Sequence, residues 1–243
     1  MGIILKFGYD AAVLEAAPTL AAGVLWCRGL DNLRSVPSIE VGLIQAENVV
    51  RERFPNTADI ALHPAIAAWR RTYSSLGLTP NRYPCAAESL IRRVVGGGSI
   101  PQISPLVDLC NSSSLEHSIP VAPVDLHLAE GNIVVRKATG SETYRSIGSD
   151  DLEPVPEGEV VYADDTAEVL SRRWNWRQTA KSAIRPESRD VLITTEAVHD
   201  GGRDTVERVI EQLRREIEAH LGGHVVSDIL AARNPWSTRP DAS

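Results

Sequence analysis

An α/β (α+β) protein with a mostly antiparallel sheet flanked by helices is predicted by three features of the sequence. Apolar residues recur at helical spacing in several segments before Ile119-Pro120. Short β-rich runs separated by Gly, Pro, Asp and Ser fill the stretch after Pro123, and a long amphipathic segment follows them. A chain of 243 residues with 43% hydrophobic content can bury a sizeable core. One domain over residues 1–233 is expected, with 234–243 a frayed, flexible tail.

Ile3 to Phe7 and Ala21 to Cys27 read as short buried strands, and the alanine-rich Tyr9 to Ala17 between them as a helix or a loop. Ser38, in cap position, opens a helical pattern of Val41, Ile44, Gln45 and Val49 that ends near Phe54-Pro55. Asp59 precedes a second helix with Ile66, Trp69, Arg70 and Tyr73 at helical spacing, stopped by Gly77; Trp69 is read as core. Leu78 to Pro84, which holds Pro80, Asn81, Arg82 and Pro84, is an irregular connector with restricted backbone. A helix from Cys85 carries Leu90, Ile91, Val94 and Val95 and breaks at Gly96-Gly97-Gly98, which lacks the lysine and hydroxyl of a phosphate loop. Ile103 to Leu115 is helical again. The strands expected beyond it are Ile133 to Arg136, Thr143 to Ile147, Glu159 to Tyr162, Val169 to Arg173 and Val191 to Thr195, in a meander-like antiparallel sheet. Thr205 to Leu221 closes the pattern, with Val206, Val209, Ile210, Leu213 and Ile217 on one stripe.

The net charge of −7 argues against a broad basic field and against DNA as a partner, so any RNA contact must be local. Cations do pair up at Arg70-Arg71, Arg92-Arg93 and Arg172-Arg173. Cys27, Cys85 and Cys110 show no CxxC spacing, which suggests reduced, buried thiols, neither a disulfide framework nor a metal site. The apolar run in MGIILKFGYD is too short to span a bilayer, and Lys6 breaks the myristoylation pattern. A cytoplasmic protein without a membrane partner or cofactor is expected.

Val160 to Gln178, VVYADDTAEVLSRRWNWRQ, carries the densest chemistry. On an extended strand Trp174 and Trp176 share one face, and Arg173, Asn175 and Arg177 the other. Two readings stay open: core tryptophans, or the wall of a site for an aromatic or nucleotide ligand.

Arg92 to Ala138 contains Arg93, Pro101, Val107-Asp108, Asn111, Pro120 and Asp125 in order. This run resembles the editing module, the B-three/B-four domain, of the bacterial phenylalanyl-tRNA synthetase beta subunit, whose Val-Asp-x-x-Asn and Pro-x-x-x-x-Asp motifs have these spacings. The resemblance runs from about Ala86 to Ala197, with N-terminal and C-terminal helical elaborations outside it, and suggests a freestanding relative. It implies hydrolysis of a wrong amino acid from the terminal adenosine of a tRNA. Three departures stand out. The family's pocket histidine falls at Ala122, with His117 the nearby histidine. Its two glycines fall on Trp176 and Arg177, which argues against tyrosine as the substrate. Its later pocket glutamate falls near Thr194, with Glu196 two residues on.

An aminoacyl ester is already activated, so an oriented water and oxyanion donors suffice. No GxSxG turn is present. The expected catalytic residues are Asn111, His117 and Asn175. Substrate is expected on Trp174, Trp176, Arg177, Glu88, Arg93 and Glu196, and RNA on Arg82, Arg92, Arg172 and Arg173. Structural roles compete throughout: Arg177 as partner of Asp164 or Asp165, and Glu88 as a helix-start carboxylate bridging the arginines. Two other functions fit the same residues, a noncatalytic tRNA- or synthetase-binding module and an amino-acid-binding protein.

Overall fold

The structure is a computed structural model that describes residues 5–240. In chain order the elements are β1 (Lys6–Tyr9), α1 (Ala11–Ala16), β2 (Ala21–Arg28), α2 (Pro37–Arg53), α3 (Thr57–Ile60), α4 (Pro64–Ser75), α5 (Ala86–Val95) and α6 (Pro105–His117). Strands then dominate: β3 (Val121–Asp125), β4 (Ile133–Lys137), β5 (Thr143–Arg145), β6 (Leu152–Pro154), β7 (Val160–Ala163), β8 (Ser171–Arg172), β9 (Arg177–Gln178) and β10 (Val191–Ala197). Helix α7 (Gly202–His220), β11 (His224–Leu230) and β12 (Trp236–Thr238) complete the chain.

The α/β class and the prevalence of antiparallel pairing are as expected, but the strands form two main sheets instead of one meander. One is antiparallel in the order β11-β2-β10-β3; the other runs β12-β1-β4-β7-β8-β9 with a parallel β1–β4 pair. Strand β2 explains why its sequence reads as a continuous apolar run. Ala22, Val24 and Trp26 enter a core joining the two sheets to α2, α4 and α5, while Ala21, Leu25 and Cys27 enter a second core under α6 and α7. A strand buried on both faces shows no polar alternation.

The helices sit where the periodicity places them, with local corrections. Helix α2 starts at Pro37 with Val36 as its cap, and Ser38 makes no cap bond. Its buried stripe is Ile39, Leu43, Ala46 and Val50; Val41, Ile44 and Val49 of the expected stripe face outward. Helix α6 begins at Pro105 after a Ser104 cap. The strand expected at Ile3 to Phe7 lies partly outside the described residues and shifts to Lys6–Tyr9.

Within the segment expected to fray, Trp236–Thr238 instead forms β12, paired with β1 through Phe7↔Ser237. Ser237 Oγ accepts the indole N–H of Trp26 at 2.9 Å. Gly8 makes the pairing possible, since a Cβ there would lie 2.5 Å from the Pro235 carbonyl oxygen.

The β4–β5 connection is held by Glu142, whose carboxylate takes the Arg136 guanidinium at 2.5 Å and the Thr139 and Gly140 amides at 2.9 and 3.0 Å. Burial pushes its carboxyl up, but the Arg136 and Thr139 bonds outweigh this and bring the pKa from 4.5 down to about 2. Such a depressed carboxylate contributes stability that is full above about pH 4.5 and lost as pH falls toward about 2. The stability gap between wild type and E142Q, followed by urea unfolding across that window, should therefore close with acid. A gap unchanged from pH 5 to 2.5 would contradict the assignment.

Candidate functional site

A hollow of about 180 Å³ opens between the two sheets beside the free edge of β3. Its wall is α6, which presents Val107 and Asn111, one turn apart on the same helix face. Ala122 of β3 and Tyr162 of β7 line it further in, and Asn175, Trp176 and Gln178 close it from the β8–β9 hairpin. Pro123, on the free edge, has no N–H to leave unpaired, and its carbonyl accepts the Gln178 amide at 2.7 Å.

The hairpin corrects the expected strand. Residues 173–176 form a turn, so Trp174 and Trp176 do not share a strand face. Arg173 and Trp174 both adopt left-handed backbone, φ 47° and 62°, which costs non-glycine residues about 1–2 kcal/mol each. Contacts from elsewhere compensate. The Trp174 amide donates to the Val160 carbonyl at 2.6 Å, its indole donates to Glu196 Oε1 at 2.7 Å, and the Arg173 amide donates to Glu159 at 3.2 Å. Trp174 is thereby core, packed edge-on against Trp69 at 5.1 Å.

Glu196 is the centre of this arrangement. It is 1% exposed and has no ion pair among the described residues. Its Oε1 accepts from the Tyr9 and Tyr162 hydroxyls and the Trp174 indole, each at 2.7 Å, and its Oε2 from Asn175 Nδ2 at 3.0 Å. Burial first, then the Glu196 charge, pushes the Tyr9 and Tyr162 hydroxyls well above the usual phenol range, so both stay protonated donors. Glu196 therefore lies behind the hollow and orients Asn175. Asn175 Oδ1 is also within 2.8 Å of the Tyr73 hydroxyl and 3.4 Å of the Ala86 amide. One Nδ2 hydrogen remains. Asn111, half-buried, has no side-chain hydrogen bond among the described residues.

The structure thus brings Asn111, Asn175 and Trp176 to one hollow and leaves other expected residues out. His117 lies six residues beyond Asn111, roughly 9 Å along the helix, with Nε2 2.8 Å from Gln212 Oε1 of α7. Glu88 is fully buried, and Arg70 and Arg92 converge on its Oε1 at 2.7 and 2.6 Å. Arg93 Nε donates to the Ser99 carbonyl at 2.6 Å, closing the end of α5. Arg172, expected on an RNA surface, is 5% exposed and bonded to Glu159 and Glu153 at 3.0 Å, so its charge serves the interior. Arg177 is exposed and does not pair with Asp164, which binds Lys181 at 2.7 Å. Asp125 of the Pro-x-x-x-x-Asp motif holds Arg185 and the Ser188 hydroxyl at 2.9 and 2.6 Å, a structural clasp.

Tyr73, Tyr162 and Gln178 were not proposed as site residues from the sequence, although Tyr162 and Gln178 both lie in the Val160 to Gln178 stretch. The tyrosines meet Asn175 and Glu196 from distant parts of the chain. Burial pushes the Cys27 and Cys85 thiols up to about 12 and Cys110 up as well, and none lines the hollow.

The fold and the hollow define an α/β protein with a small, mostly apolar hollow that two asparagines line and a buried polar network backs. The B3/4 domain family matches residues 68–209, more than half of the chain, and the chain belongs to that family. The match is wider at both ends than the 86–197 read from the sequence. Among solved structures, the chain is similar to an N-terminal fragment of the phenylalanyl-tRNA synthetase beta-subunit from Pyrococcus horikoshii, at 12% identity and a TM-score of 0.48. That alignment covers 98% of this chain and 55% of the fragment, so the chain spans little more than half its length. No curated protein matches. No helix among the described residues is long and apolar enough to cross a membrane.

Proposed function

We propose that the chain is a freestanding aminoacyl-tRNA deacylase, with the hollow taking the amino-acid side chain of a mischarged tRNA. The observation that carries this reading is the meeting of the two asparagine amides in one apolar hollow within the family-matched region. At about 180 Å³ the hollow is well below the ~300–1,000 Å³ of pockets for drug-sized ligands, so it suits one amino-acid-sized group and leaves the adenosine at the rim.

In this reading the free amide of Asn111 and the remaining Nδ2 hydrogen of Asn175 orient the ester carbonyl and stabilise its developing oxyanion. The thiols are too far from ionising to serve as nucleophiles, and Ala122 offers no base. The attacking group is then a water molecule, with the neighbouring ribose hydroxyl of the terminal adenosine assisting proton transfer. The Glu196 network contributes by holding Asn175 before substrate arrives.

The test is release of amino acid from a panel of mischarged tRNAs by the purified protein. N111A should lower the rate about 10²-fold, the scale of one oxyanion donor, with little loss of stability. If no tRNA in the panel is deacylated above buffer, the hydrolase reading ends. Ala122 in place of a base favours a second reading, a noncatalytic tRNA- or synthetase-binding module. That protein would bind tRNA with salt sensitivity and release nothing.

A further inference from the structure

Three arginines and two aromatic rings alternate in a row that includes Trp176, the one of the five that lines the hollow. The guanidinium of Arg82 lies 5.2 Å from the ring centre of Tyr83, that of Arg173 lies 4.0 Å from Tyr83 and 4.7 Å from Trp176, and that of Arg177 lies 4.6 Å from Trp176. The two rings meet edge to face at 5.0 Å. Only the middle cation is neutralised, by Glu159 at 3.4 Å. Arg82 and Arg177 at the two ends are exposed and form no ion pair among the described residues. In a chain of net charge −7, two unpaired cations thus lie against aromatic rings, Arg177 against the Trp176 that lines the hollow.

We infer that this ladder is a clamp for single-stranded RNA, in which Arg82 and Arg177 each bind a phosphate and the outer plane of Arg177 stacks a nucleobase. A guanidinium bonds phosphate along its edge and stacks on a base through its face, so one side chain serves both. The alternation of planar cations with rings complements the alternation of phosphates with bases. An acidic peptide matches the charge but offers no aromatic bases to stack. The inference rests on the proposed RNA substrate and names the residues that hold it, independently of whether the ester is cleaved.

The experiment is fluorescence anisotropy of a labelled single-stranded RNA 12-mer with the full chain over a salt series, with polyglutamate as competitor. Each lost phosphate contact on a single strand removes about 0.7 from the slope of log affinity against log salt, so R82A/R177A should flatten it by about 1.4. R177K keeps the charge and loses the plane, so it should retain the wild-type slope while binding at least about fivefold more weakly. Both positions are exposed, and an unchanged melting temperature confirms that the variants fold. The clamp is overturned if wild type does not bind the RNA, if the double variant keeps the full slope, if R177K binds as wild type does, or if polyglutamate competes as well as RNA.

Hydrolysis of 3′-aminoacyl-adenosine, which has no phosphate, separates this from the deacylase proposal. Activity there with an unaltered RNA slope removes the clamp alone. A flattened slope without aminoacyl release from any substrate removes the deacylase alone.

Discussion

Glu196→Ala is expected to lower folding stability by about 4 kcal/mol or more, because it strips four buried donors of their acceptor at once. The Tyr9 and Tyr162 hydroxyls, the Trp174 indole and the Asn175 amide all bond this one carboxylate. Each buried donor left unsatisfied costs roughly 1–3 kcal/mol, so even the low end of that range for four groups approaches the whole stability of a marginal domain. The loss is also topological. Tyr9 and Tyr162 belong to the six-stranded sheet, Glu196 to the four-stranded sheet, and Trp174 to the strained hairpin turn. E196Q should be milder, since a carbonyl oxygen can still serve three donors, but its amide N–H then opposes that of Asn175. Urea unfolding followed by circular dichroism measures both variants. An E196A protein within about 1 kcal/mol of wild type would show that the network does not hold the sheets together.

Local periodicity carried most of the helical part of this fold and failed where two answers have the same period. Helix α2 has two apolar stripes, Ile39-Leu43-Ala46-Val50 and Val41-Ile44-Val49, each at helical spacing. Which one is buried depends on where the other helices pack, and a single sequence does not state that. The double-tryptophan stretch failed for a different reason. Alternation assumes extended backbone, and no glycine or Asn-Gly pair marks the turn at Arg173 and Trp174. The left-handed residues are held by Glu159 and Glu196, which lie 14 and 22 residues away in sequence. Asn111 was legible from the ordered Val-Asp-x-x-Asn motif, whereas Asn175 was chosen by an alternation that the turn overturns, and packing, not register, brings it to the same hollow. Tyr9, 187 residues from Glu196, left no comparable trace.

On the proposed deacylase reading, Ala122→Phe and Ala122→His should move hydrolysis in opposite directions. Ala122 lines the hollow from β3, in register with Thr194 of the neighbouring strand, so its Cβ is where a larger side chain would enter. Phenylalanine would take up much of the 180 Å³ and exclude the amino-acid side chain, abolishing release while leaving the fold intact apart from an overpacking cost of about 1–3 kcal/mol. Histidine would place a base beside the two amides. General-base assistance contributes about 10²–10⁴-fold when the base reaches the attacking water, and the gain should appear as pH rises through about 6.5, where the imidazole becomes neutral. Filling tests occupancy and the base tests chemistry, so the two results are independent. Deacylation by A122F at the wild-type rate would move the reaction out of this hollow, and a rate for A122H that neither rises nor acquires a pH dependence would mean that water is not activated on this side of it.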